Sequence, residues 1–412
     1  MLLKKSSFFK MILAALLLTN VVGCKKSNIN TPPNDITNQP NYQFEFPLTS
    51  FITTPHLFIN YIPQSSNSNQ LAAYNLSIAD QKTALTNNFY ASNNGKGNAL
   101  MNTYVASVDE IWGVRFDPSL NKTVLTRLSL KNKINTDVSI FPADKLVRKI
   151  IGVDEILKKI YYLEGGENSI TYNKLIRCNW DGTAKEELYA DPINMLDAAI
   201  DIIGKKLYVV NKSLNALACV DLNTKAVVSQ LSNFNIMAKD QKLNLQQAKL
   251  VPFALDLTSK KVFWLKENLL NKNKYGLNGD RPDLMVADVD GKNLKINLGV
   301  YFYKNSIADD KTIIGPFGFT VTYNKGVINI DPANKKLYIL SQYKIATESG
   351  EPGIILPEYI PTTILEINYN SLPPIWKNLT PEKNGLQAFN NPWEIYPDGL
   401  KGFVFVKHRA AN

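Results

Sequence analysis

Asp201-Ile202-Ile203-Gly204-Lys205-Lys206-Leu207-Tyr208 decides how this chain is read, because its frame returns. The phrase of two lysines, an aliphatic residue and an aromatic one stands at Lys158-Lys159-Ile160-Tyr161, Lys205-Lys206-Leu207-Tyr208, Lys260-Lys261-Val262-Phe263 and Lys335-Lys336-Leu337-Tyr338. Each copy has an aspartate four residues ahead of its first lysine: Asp154, Asp201, Asp256 and Asp331. One hairpin recurring along a chain marks a modular β fold. The fixed aspartate is expected to cap the hairpin turn rather than to carry chemistry, since a short carboxylate accepts nearby backbone amides.

Outward from the phrase, its apolar end is the second strand of a unit. That strand reads as Leu57-Phe58-Ile59, Ile111-Trp112-Gly113, Ile160-Tyr161-Tyr162, Leu207-Tyr208-Val209, Val262-Phe263-Trp264, Leu337-Tyr338-Ile339 and Phe403-Val404-Phe405. Short runs enriched in β-branched and aromatic residues are strands. A third strand follows with its own pattern of apolar, small polar, apolar: Tyr74-Asn75-Leu76, Leu128-Ser129-Leu130, Cys178-Asn179-Trp180, Val220-Asp221-Leu222, Ala287-Asp288-Val289 and Ile367-Asn368-Tyr369. Two copies run into Asp-Gly, at Asp181-Gly182 and Asp290-Gly291, a strong turn signal. With a first strand before the lysines and a fourth after the third, each unit has four antiparallel strands. The prediction is an all-β fold, a β-propeller of four-stranded antiparallel blades. Seven blades are preferred and six are the alternative. The seventh would join residues 392–397 and 401–408 to residues 42–46, closing the ring through both termini and removing exposed edges.

The fragment Leu175-Ile176-Arg177-Cys178-Asn179-Trp180-Asp181-Gly182-Thr183, after Ile160-Tyr161-Tyr162, resembles the YWTD and NHL-type propellers. The resemblance implies the fold over residues 55–408. Those families differ widely in activity, so it implies little about chemistry.

The front of the chain reads as an address. Lys4, Lys5 and Lys10 form a basic head, and residues 11–18 an apolar run too short to span a bilayer. The segment ends in Val21-Val22-Gly23-Cys24, which resembles the lipobox of bacterial lipoproteins. That resemblance implies a signal peptide over residues 1–23 and acylation of Cys24. Lys25, where the family's inner-membrane retention cue would be Asp, implies an outer-membrane lipoprotein of a Gram-negative cell, periplasmic or surface-exposed. Residues 24–41, the acylated Cys and a polar, proline-bearing stretch, are expected to form a flexible tether, for they cannot bury enough surface to offset ordering. Residues 42–412 are expected to form a single β-propeller domain.

Composition supports a large core, with 45% hydrophobic and 10% aromatic residues. The formal charge of +10 falls to +7 without the three leader lysines. It shows no dense stripe, so no nucleic-acid partner is expected. Aligning the repeats sets Cys178 level with Val220, one residue from Cys219, so the two thiols are expected to face opposite ways and to stay buried and unpaired.

The turns between first and second strands, and between third and fourth, are tight. Long insertions fall at the other end: residues 267–283 and 342–361 between second and third strands, and residues 232–249 and 299–325 between units. This end is the expected binding face. Its candidate residues are Tyr275, Arg281, Tyr301, Phe302, Tyr303, Phe317, Phe319, Tyr323, Tyr343 and Tyr359, because rings beside cationic groups suit sugars, flat ligands or a protein partner.

The chain has two histidines, no Gly-x-Ser-x-Gly and no Gly-rich phosphate loop. No catalytic or metal-binding set is assigned, and no cofactor is expected, with calcium the one left open. The reading is a cell-envelope lipoprotein acting as a non-enzymatic binding module, anchored to the membrane by lipid and holding a small molecule, glycan or envelope protein on its long-loop face. The alternative is a calcium-assisted propeller hydrolase, lactonase or lyase.

Overall fold

In the computed structural model the described residues are 55–63, 70–79, 85–91, 100–166, 171–211, 216–232, 253–268, 281–293, 319–347, 362–370, 374–379 and 395–406. Every regular element among them is a strand. In chain order these are β1 (His56–Pro63), β2 (Gln70–Asn75), β3 (Leu85–Ala91), β4 (Leu100–Val105), β5 (Glu110–Asp117), β6 (Lys122–Ser129), β7 (Asn135–Val138), β8 (Arg148–Asp154), β9 (Lys159–Gly165), β10 (Tyr172–Asn179) and β11 (Glu186–Asp201). There follow β12 (Lys206–Asn211), β13 (Ala216–Asp221), β14 (Val227–Leu231), β15 (Phe253–Asp256), β16 (Lys261–Asn268), β17 (Arg281–Asp288), β18 (Phe319–Asp331), β19 (Lys336–Thr347), β20 (Thr362–Asn368), β21 (Ile375–Asn378) and β22 (Ile395–Val406).

All pairings are antiparallel, and the strands fall into six groups. They are β22-β1-β2-β3, β4 to β7, β8 to β10 with the front of β11, the back of β11 with β12 to β14, β15 to β17, and β18 to β21. The long β11 serves two groups: Glu186, Glu187, Tyr189 and Ala190 pair with β10, residues from Asp197 to Asp201 pair with β12, and Met195 between them pairs with both, opposite Tyr172 and Asn211.

The repeated phrase becomes one turn built the same way each time. Asp154 accepts the amides of Ile156 and Leu157 at 3.0 and 2.8 Å, Asp201 that of Gly204 at 2.7 Å, Asp256 that of Ser259 at 3.0 Å and Asp331 that of Asn334 at 3.3 Å. The first lysine of each pair takes a left-handed backbone, with φ from 49° to 53° at Lys158, Lys205, Lys260 and Lys335. Its carbonyl then accepts the amide of the apolar residue that ends the third-strand pattern. The six such bonds are Leu76 to Pro55, Leu130 to Asp109, Trp180 to Lys158, Leu222 to Lys205, Val289 to Lys260 and Tyr369 to Lys335, at 2.9–3.1 Å. The small polar residue beside it closes the next turn, as Asp221 does on the amides of Asn223 and Thr224. Aspartate caps and third-strand signature are thus the two halves of one end in four of the groups, those that begin with β8, the back of β11, β15 and β18.

Second and third strands are buried on both faces because each group is packed between two others. Tyr161 lies in a cluster with Met195, Leu207 and Val220 of the following group; its neighbour Tyr162 lies with Trp112, Val114 and Leu125 of the preceding one. Phe58, Leu71 and Ala73 meet Met101, Ile111 and Leu128, while Tyr208, Leu217 and Cys219 meet Phe253, Val262 and Trp264. Phe263 packs against Tyr369 in a tilted contact with centroids 4.6 Å apart, and the Tyr74 hydroxyl donates to the carbonyl of Leu379 at 2.9 Å. These six interfaces return to their start, and the first strands adjoin accordingly: β22 lies beside β4, β4 beside β8, β8 beside β11, β15 beside β18, and β18 beside β22. The fold is a β-propeller. At Gly152 on β8 a Cβ would come within 2.7 Å of Ile200 Cγ2 on β11, so this close approach of first strands requires glycine.

Two expectations are corrected, and a third falls outside the described residues. Phe403-Val404-Phe405 is not the second strand of a separate seventh blade: it lies in β22, opposite Ile59, Phe58 and Leu57 of β1, and is the first strand of that group. The termini do close the ring, but through β22 and β1; residues 42–46 lie outside the described residues. The insertions are also shorter than expected. β16 runs to Asn268 and β17 starts at Arg281, while β18 starts at Phe319 and β19 runs to Thr347, so part of each presumed loop is strand. The thiols behave as expected: Cys178 and Cys219 are free and buried, in clusters on two different interfaces.

Candidate functional site

The strands give the molecule two chemically different ends. Each first strand starts at the long-loop end; β8, β11, β15 and β18 finish at aspartate-capped turns, and the turn after β4 is capped instead by Glu155 of the next group, which accepts the amides of Ala106 and Ser107 at 3.2 and 2.6 Å. At the loop end the first strands carry side chains that bridge groups. Asn102 of β4 donates its side-chain amide to the carbonyl of Ile150 on β8 at 2.7 Å. Lys149 of β8 sets its ammonium against both carboxylate oxygens of Asp197 on β11, at 2.7 and 2.6 Å. The local backbone explains this reach. β4, β8 and β11 each have a register shift there, between Met101 and Thr103, Ile150 and Gly152, and Met195 and Asp197. Such bulges re-aim side chains.

Asp197 is 3% exposed and also accepts the amide of Ala198 at 2.8 Å. Burial pushes its carboxyl above the usual range, more than Lys149 pulls it down. Tyr172 is buried close by; burial, then the charge of Asp197, push its phenol up. The ammonium of Lys149 is partly exposed, whereas its carboxylate partner is buried.

Two further ion clusters sit towards this end. Arg115 reaches Asp137 through Nε at 3.1 Å and through Nη2, and Asp117 through Nη2 at 2.8 Å. Hydrogen bonds from Ser119, aided by Arg115, hold Asp117 at about 2 against the effect of burial. Arg148 is 3% exposed, binds Asp144 at 2.6 and 2.9 Å and Glu164 at 3.0 Å, and lies over the Phe141 ring at 4.9 Å. These residues were not legible from the repeat. A lone Lys or Arg in a strand carries no periodic signal, and its partner lies on another strand or loop.

Of the candidates read from sequence, Tyr275, Tyr301, Phe302, Tyr303, Phe317 and Tyr359 lie outside the described residues, as does Cys24. Arg281 opens β17 opposite Asn268. Phe319 and Tyr323 lie on β18 and Tyr343 on β19. The structure brings two of them together: Tyr323 is directly opposite Tyr343, next to a register shift at residue 324. This ladder runs five pairs past Gln342, where β19 makes its last pair with β20. Among the described residues no group of three or more His, Cys, Asp or Glu is arranged to hold a metal ion. No helix among them is long and apolar enough to cross a membrane.

No family model matches the chain, and no curated protein does. Solved structures with similar strand arrangements include a chain of a nidogen/laminin complex, with 10% identity and a TM-score of 0.34 over 85% of this chain and 98% of that one. A putative TolB from Agrobacterium tumefaciens has 8% identity and a TM-score of 0.37, over 74% and 90%. The Kuenenia stuttgartiensis hydrazine synthase has 10% identity and a TM-score of 0.34, over 67% and 79%. Likeness at this level carries no argument about function, and the fold rests on the strand pairing above.

Proposed function

We propose that this chain is a lipoprotein of the bacterial cell envelope, anchored through Cys24, whose propeller works as a non-enzymatic binding module. On this reading the six strand groups are the whole ring, and the ligand or partner sits at its loop end. The observation that carries it is the β18–β19 ladder, which outruns its own group and sets Tyr323 across from Tyr343. Directly opposed residues occupy one face of a ladder with Cβ atoms about 5 Å apart. Two tyrosines on a paired ribbon suit the flat apolar face of a sugar or an extended peptide. Towards the same end lies the partly exposed ammonium of Lys149, held in place by the buried Asp197.

The test is a glycan and peptide screen with the full chain, repeated with Tyr323→Ala/Tyr343→Ala. Affinity for any hit is expected to fall at least about tenfold, in the range of anchor residues at binding sites. Unchanged hits in a variant with unaltered melting would place the binding face elsewhere.

A further inference from the structure

The capped-turn end has an unexplained feature. Turns in solvent ordinarily carry polar residues, yet three successive groups present aliphatic side chains at the tips of their first hairpins. Ile156 and Leu157 are 43% and 63% exposed, Ile203 is 96% exposed and Leu257 is 39% exposed. The turns belong to adjoining groups: β8 lies beside β11, and Leu196 and Ala199 of β11 pack with Phe253 and Leu255 of β15. Each tip is followed by an exposed lysine, Lys158, Lys205 or Lys260. The aspartates of the same turns are turned towards backbone amides, half-buried at Asp154 and Asp201 and fully buried at Asp256. In these three turns the aspartates face backbone amides while the aliphatic tips and the lysines are exposed, the Lys158 ammonium lying over the Trp180 ring at 4.2 Å; the adjoining third-to-fourth turns add the exposed Asp181 and Asp290.

Pro55, the first described residue, also lies at this end. The carbonyl of Pro55 accepts the amide of Leu76 just as the carbonyls of Lys158 and Lys205 accept Trp180 and Leu222. Pro55 thus occupies the place of the turn lysine, on the side of the sequence that carries the expected anchor.

We propose that the capped-turn end is a lipid-docking face. Ile156, Leu157, Ile203 and Leu257 enter the interfacial region of the bilayer, while Lys158, Lys205 and Lys260 meet anionic headgroups. Aliphatic tips ringed by lysines fit that interface, where apolar burial and attraction to anionic lipid add together. Docking turns the loop end away from the membrane and towards solvent. The inference takes the nature of the surface from the lipoprotein reading, but its test does not require the acyl chain.

The full chain with Ile203→Cys is labelled with an environment-sensitive fluorophore; Cys178 and Cys219 are buried, and the parent chain labelled in parallel gives the background, that of Cys24 included. The probe is then read against vesicles of phosphatidylcholine and phosphatidylglycerol that carry a nitroxide lipid. The control is Leu120→Cys, an exposed position at the loop end. The probe at 203 is expected to shift blue and be quenched, and the probe at 120 to do neither. Lys158→Glu/Lys205→Glu/Lys260→Glu is expected to weaken partitioning on the anionic vesicles at least about tenfold, with little effect on pure phosphatidylcholine. Equal signals at both positions, quenching at 120 alone, or no quenching at 203 overturns the proposal. Charge reversal without effect overturns its anionic-lipid component. Mass analysis of the N-terminus of the same preparation tests acylation separately, so failure of the anchor and failure of the docking face are distinguishable.

Discussion

Lys335 and Asp256 lie far apart in sequence, yet the ammonium of one is 2.9 Å from the carboxylate of the other, which is fully buried. Tyr369 donates to the same oxygen at 2.9 Å, and Ser259 binds the carboxylate through both its amide and its hydroxyl. Asp256 thus caps its own turn and joins its group to the next. Burial works against ionisation, but the hydrogen bonds from Ser259, Lys335 and Tyr369 win and hold the carboxyl at about 2.

The sign of the pH effect follows. A carboxyl depressed in the folded state contributes stability above its unfolded value of about 3.9, and that contribution is lost as pH falls towards 2. Stability should drop through this window, and the drop should be shallower in Asp256→Asn. The same substitution should cost about 2 kcal/mol at neutral pH, because it weakens several hydrogen bonds to a buried acceptor. Denaturant melts of both proteins between pH 2 and 7 check this; a parallel pH dependence would exclude Asp256 as its source.

The buried thiols give a second expectation. Burial pushes Cys178 up to about 11 and raises Cys219 as well. Thiolate is the reactive form, so both should resist iodoacetamide at pH 8 and react at once in denaturant. Mass spectrometry of pulse-labelled protein reads both sites. Fast labelling of Cys178 alone would mean that the interface holding it opens locally.

What could be read from sequence, and what could not, follows from where each interaction lies along the chain. The turn aspartates, the lysine phrase and the Asn179 or Asp221 type of third-strand residue are local, so their spacing carried the module correctly. Phe403-Val404-Phe405 misled because first and second strands are both packed between neighbouring groups. They share an apolar, β-branched and aromatic composition, and only pairing distinguishes them. That pairing, with β1 at the other end of the chain, leaves no local trace. Lys149 and Asp197 were hidden for a related reason: they lie on first strands of two different groups, 48 residues apart, and only packing of those groups brings them together.

Those two residues allow a test by comparison of single and double variants. Lys149→Met alone leaves a buried carboxylate without its cation and should cost about 3–5 kcal/mol at neutral pH. Asp197 already has a raised carboxyl, and losing Lys149 should raise it further. The folded state then favours the protonated acid, so the variant should regain stability as pH falls and lose it as pH rises. Lys149→Met/Asp197→Asn keeps an acceptor for the Ala198 amide and removes both charges, so it should recover most of the loss. If the double variant is as unstable as the single one, packing rather than charge dominates at this site.

Closure through β22 yields the last expectation. β22 pairs with β1 from His56 to Pro63, and it lies beside both β4 and β18. Removing residues 395–412 would strip one group of its first strand, uncover the edge of β1 and open two interfaces at once. Phe58 and Leu57, now fully buried, would lose their cover on that side. An uncovered apolar strand edge pairs with other chains. The truncated protein should therefore associate, eluting as oligomers or aggregates, while losing the single cooperative melt of the full chain. A cut that left a monomeric, cooperatively melting protein would mean that the remaining groups hold together as an open arc. The closing strand would then be a cover rather than the element that completes the ring.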